Sequence, residues 1–129
     1  MVSWSVQYGQ DYYWLLLCKS ELPRKRPQVI ERMLAALALS EKIVTSNPAE
    51  AQRIIERRRA DHQPSVDKKW PYHNLKVSLD QQLLVAMEDA ARWSIAKGLI
   101  SKGKTPNFLN FIYFDGLRAI KPEAISIIH

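Results

Sequence analysis

The segment Gly9-Gln10-Asp11-Tyr12-Tyr13-Trp14-Leu15-Leu16-Leu17-Cys18 sets the architecture expected of this chain. Its last seven residues form an unbroken apolar and aromatic run, too short for an ordinary helix. Such a run fits a strand buried on both faces, as in parallel or mixed sheets. A lone strand is not stable, and the rest of the sequence offers few partners for it. The glycine and polar residues at the mouth of this strand, next to two phenol rings, form a candidate small-molecule contact.

Beyond this run the pattern turns helical. Pro23 breaks the chain, and Pro27 fits the first turn of a helix, where its missing N–H costs nothing. Val29, Ile30, Met33, Leu34, Leu37, Ala38, Glu41 and Val44 then recur at helical spacing as one stripe to about Thr45. Asn47-Pro48-Ala49-Glu50 predicts a second start, with Asn47 as cap and Glu50 reaching back to it; this helix runs to about Ala60. Pro64 and Trp70-Pro71 bound a short turn, and residues 74–77 read as a short strand or an extended link. Ser78 with Gln81 repeats the capping pattern before a long helix ending at Gly98. Thr105-Pro106 opens a short helix, and residues 114–120 a further turn broken at Asp115-Gly116. The expectation is an α/β chain: one long buried strand, then four or five helices. It is read as a single incomplete domain over residues 1–129, with an extended part (1–18) and a helical part (19–129).

Composition narrows the function classes. A chain of 129 residues that is 47% hydrophobic and 25% charged is of the globular class, and its apolar runs are far short of a membrane span. The N-terminus lacks the basic start and cleavage site of a secretory signal, so a cytoplasmic location is expected if the chain is complete as given. The single cysteine, Cys18, has no internal disulfide partner and is expected to be an inert core residue. A net charge of +6 permits nucleic acid, anionic lipid or small anions as partners, without choosing among them.

Few residues combine into recognisable chemistry. The four glycines are too scattered for a phosphate-cradling loop. His62, His73 and His129 with Cys18 show no zinc spacing, so no metal and no cofactor is expected. Glu88 and Asp89 are adjacent, and adjacent helical side chains do not share a face. No catalytic constellation assembles, and no enzyme is expected. Arg53, Arg57, Arg58 and Arg59 on the second helix, after the Ser46-Asn47-Pro48 link, imitate a helix-turn-helix. Base-reading side chains are scarce there and Glu50 and Glu56 interrupt the positive field, so the reading disfavours nucleic acid.

An ordered set of motifs covers nearly the whole chain. Gly9-Gln10-Asp11-Tyr12-Tyr13 is followed by Arg26-Pro27-Gln28-Val29-Ile30-Glu31-Arg32-Met33-Leu34 and Asn47-Pro48-Ala49-Glu50-Ala51. Ser78-Leu79-Asp80-Gln81-Gln82-Leu83-Leu84, Asp89-Ala90-Ala91-Arg92-Trp93, Pro106-Asn107-Phe108-Leu109-Asn110-Phe111-Ile112-Tyr113 and Lys121-Pro122-Glu123-Ala124-Ile125 complete it. Together they resemble the C-terminal part of ABC-transporter substrate-binding proteins of the nitrate/sulfonate/taurine type. That group is related to the proteins that bind or make the thiamine pyrimidine precursor. The resemblance implies a helix-rich portion of a two-lobe periplasmic-binding-protein fold, with residues 10–18 a strand near the hinge. It also implies an extracytoplasmic location and a small ligand such as a sulfonate, nitrate or pyrimidine precursor. Gln10, Asp11, Tyr12 and Tyr13 are the expected ligand-binding residues. The implied partners are an ABC permease and an N-terminal lobe, which would supply the sheet neighbours of the strand; an unpaired strand edge also points to a homo-oligomer. The alternative is a small basic helical module that binds nucleic acid or a protein.

Overall fold

The computed structural model describes residues 13–59, 75–100 and 103–128. About two-thirds of the described residues are helical, and none lies in a strand. Leu22–Lys25 is a single turn, α1, with Pro23 in its first turn, where a proline continues a helix rather than breaking it. Pro27–Ser46 forms the long helix α2 and Pro48–Arg59 forms α3. Asn47 alone separates them. Its N–H donates to the Ile43 carbonyl at 2.9 Å and closes α2, while Glu50 pairs with Arg53 at 3.2 Å. The expected capping box is therefore not made.

Gln81–Ala96 forms α4, capped by Asp80 rather than Ser78. The Asp80 carboxylate accepts the Leu83 N–H at 3.0 Å, and the Ser78 hydroxyl donates to Asp80 at 3.2 Å. Ser78 thus supports the cap from two positions before it. Gly98, with φ of +67°, ends α4 as expected. The Leu99 N–H reaches the Ser94 carbonyl and the Gly98 N–H that of Ile95, both at 3.0 Å, which satisfies two terminal acceptors. A 3₁₀ turn at Phe108–Phe111 packs on α4, and Phe114–Ile120 forms α5.

The expected buried strand is a correction to the sequence reading, and with it the α/β class. Residues 14–18 pair with no other described segment, Trp14 is 91% and Leu17 82% exposed, and Cys18 is exposed. A strand exists only as part of a sheet, and here the helices pack on one another without providing one. The one β-type pairing among the described residues is a parallel bridge, Leu79 with Ile125. It joins the entrance of α4 to the C-terminal segment.

α5 runs unbroken through Gly116 because the glycine lies against α2. A Cβ there would meet Ile30 and Leu34 of α2 at 3.1 Å and the Tyr113 ring at 3.2 Å. Among the described residues the buried apolar ones, Ala51, Leu83, Leu84, Leu117, Ala124 and Ile127, are few and mostly small or single contributions from separate elements. Polar contacts therefore carry much of the tertiary definition. Lys121, just after α5, donates to both carboxylate oxygens of Glu41 of α2 at 2.6 and 2.8 Å. The Val77 N–H donates to Glu41 at 2.9 Å and the Val77 carbonyl accepts from Lys121 at 3.4 Å. Both charged side chains are only 18% exposed. Desolvation pushes the Glu41 pKa up. The Lys121 and Val77 hydrogen bonds and the charges of Lys121 and Lys76 outweigh it and hold the carboxyl below its ordinary 4.5.

Two expectations follow from this packing. Glu41 ionised stabilises the fold above its unfolded value, and that contribution fades as pH falls through its lower folded value. Glu41→Gln should cost about 1.5–3 kcal/mol near neutral pH and flatten the acid limb of stability against pH, read by urea unfolding. Gly116→Val should lower stability by roughly 1–3 kcal/mol through overpacking, whereas Gly116→Ala costs less because its better helix propensity, up to about 1 kcal/mol, offsets the contact. A thermal melt of each variant checks this.

Candidate interaction surface

α2 carries more apolar surface than its neighbours cover. At about 100° per residue, Ile30, Leu34, Ala38 and Glu41 fall on one side of the helix, which meets α5 and Lys121. Val29, Met33, Ala36, Ser40 and Ile43 fall on the adjoining side, at spacings of four, three, four and three. This is the repeat of a coiled-coil seam, with Leu37 beside it. Val29, Met33 and Ile43 are 45–48% exposed. Ser40 adds little polarity, since its hydroxyl donates back to the Ala36 carbonyl at 2.9 Å. The stripe expected from the sequence joins Val29 and Met33 of the outer side to Ile30, Leu34, Ala38 and Glu41, and leaves out Ala36, Ser40 and Ile43. The repeat that separates the two sides was present in the sequence, but only the position of α5 shows which side is packed.

The second exposed apolar element is the segment at residues 14–17, ahead of α1. Its start is tethered: the Tyr13 hydroxyl donates to Asp80 at 2.9 Å, so the cap of α4 also anchors the arm. Of the expected ligand residues, Gln10, Asp11 and Tyr12 lie outside the described residues, and Tyr13 has its hydroxyl on Asp80. Fully burying a large aliphatic side chain is worth about 1.5–3 kcal/mol, so each half-exposed one retains about 1 kcal/mol for a partner. The α2 side alone would then return on the order of 4 kcal/mol, near the lower bound of what association costs. A stable contact needs the arm or complementary charge in addition.

Other candidate chemistry does not converge. His62, His73 and His129 lie outside the described residues. Among the described residues no three His, Cys, Asp or Glu side chains are placed to hold a metal ion, and no helix is long and apolar enough to cross a membrane. Arg53 is engaged by Glu50, and Arg57 lies near the C-terminal end of α3, where cations complement the helix dipole. No protein-family model matches the chain, and no curated protein or solved structure does. The likeness to solute-binding proteins rests on the quoted motifs alone.

The double role of Asp80 has a measurable signature. Asp80→Ala should cost about 1–2 kcal/mol through the lost cap and also release the arm. Tyr13→Phe should leave α4 intact and cost about 1 kcal/mol, less than Asp80→Ala, with urea unfolding of the two variants as the measurement.

Proposed function

We propose that this chain is a non-catalytic binding module of the solute-receptor type. In this reading it is the helical portion of a substrate-binding component that delivers a small molecule to an ABC permease. Its binding unit is completed when the exposed apolar surface docks on a second polypeptide lobe. The observation that carries the reading is the large apolar side chains at the surface, residues 14–17 and the outer side of α2, beside so small a buried set. Large apolar side chains grouped along one helix side and in one short segment are the kind of surface that marks a binding role. The collinear motifs supply the class of receptor.

A second reading, a protein-interaction module with no small-molecule ligand, is favoured by the engagement of Tyr13 with Asp80. Two measurements separate the outcomes. A photo-reactive residue at Met33 or Leu37 should cross-link to another polypeptide in the native cell, while one at Gln28 or Lys42, elsewhere on α2, should not. Equal labelling from all four positions would defeat both readings. The cross-linked complex should then show a raised melting temperature with one of a panel of sulfonates, nitrate and pyrimidines, by about 2.7 kcal/mol of stability at 100 times the dissociation constant. Position-dependent cross-linking with no response to any compound leaves the interaction module and removes the receptor.

A further inference from the structure

The outer side of α2 carries a cation and no acid, and this names the chemistry of what docks on it. This helix has four charged residues, Glu31, Arg32, Glu41 and Lys42. Both acids are half-buried, and Glu41 is neutralised by Lys121. Both cations are exposed, and neither forms an ion pair with a described residue. Arg32 flanks the Val29–Met33–Ala36–Ser40–Ile43 repeat at the position from which coiled-coil helices make their interhelical pairs. Arg24 and Arg26 add exposed positive charge at the N-terminal end. Lys42 lies on the opposite side, so the outer side of α2 is an apolar seam flanked by Arg32, with no exposed acid.

We infer that the partner element on α2 is an acidic amphipathic helix, seated along this seam with carboxylates toward Arg32. This rests on the docking reading above and adds the class of partner. The seam, from Val29 to Ile43, spans about 21 Å at 1.5 Å per residue, a length that a partner helix of about four turns covers. Ala36 and Ser40, both small, allow close approach at its middle. A second copy of this chain fits poorly. Two chains of net charge +6 repel, and a copy of α2 offers Arg32 no carboxylate across the seam.

The test uses the full chain and a labelled designed peptide of about three heptads, with leucine at the seam positions and glutamate on both flanks. A matched peptide carries lysine on the flanks. Fluorescence anisotropy should show the glutamate peptide bound at least about tenfold more tightly than the lysine peptide, with the difference shrinking as salt rises. Met33→Ser combined with Ile43→Ser should weaken the glutamate peptide by about tenfold or more while the chain still unfolds cooperatively, with the melt as the control. Arg32→Glu should shift preference toward the lysine peptide. Equal binding of both peptides, binding of neither, or indifference to the seam variants would overturn the inference. So would self-association abolished by Met33→Glu in sedimentation, or capture by phosphatidylserine vesicles through the same residues in place of the peptide. If cross-linking from Met33 persists while the peptides fail, the docking reading stands and only the acidic helix is lost.

Discussion

The pairing of Glu41 with Lys121 joins parts of the chain that nothing else brings together so directly. It ties the middle of α2 to the end of α5, and through the Val77 backbone it fixes the extended segment that leads into α4. The other ion pairs among the described residues link side chains three or four apart in sequence, most of them exposed, and pairs of that kind add little to a tertiary fold. A half-buried carboxylate with both oxygens engaged is different in kind. Its loss would leave a lysine in a desolvated place without a counter-charge.

The same pairing decides which side of α2 is spent on the fold. With Glu41 turned toward Lys121, Ile30 and Leu34 are carried onto α5, where Gly116 lets the helices approach closely. Val29, Met33 and Ile43 are then left facing outward, although they are as apolar as the residues that pack. The proposed docking role follows from this division. A helix that is apolar over nearly half its circumference and covered over only part of that has surface to offer a partner.

Much of the helical framework was legible in the sequence. Pro27 and Pro48 mark real starts, Gly98 marks a real end, and these signals work because proline, glycine and unpaired terminal amides act within a turn of where they sit. Local signals that had to choose between neighbours were less dependable. Ser78 and Asp80 both qualify as caps, and the carboxylate takes the amide while the hydroxyl supports it. Gly116 reads as a helix break until α2 is beside it. The apolar run at residues 12–18 misled most, because strand character belongs to a pairing and not to a segment. Of the candidate site, Tyr13 was singled out by its company in the sequence, yet its contact with Asp80, sixty-seven positions away, was not foreseeable.

The sequence alone was enough to read a largely helical chain over the described residues after 20, the starts of α2 and α3 and the end of α4, and an excess of positive charge. These depend on backbone sterics, on capping within a turn and on composition, all of which are written locally. The tertiary structure decided that the apolar run is exposed and unpaired, that Asp80 caps and tethers, and that α2 turns one apolar side inward and presents the other. Those outcomes hang on which distant groups meet, and periodicity along one helix is silent about whether a neighbour arrives to cover it.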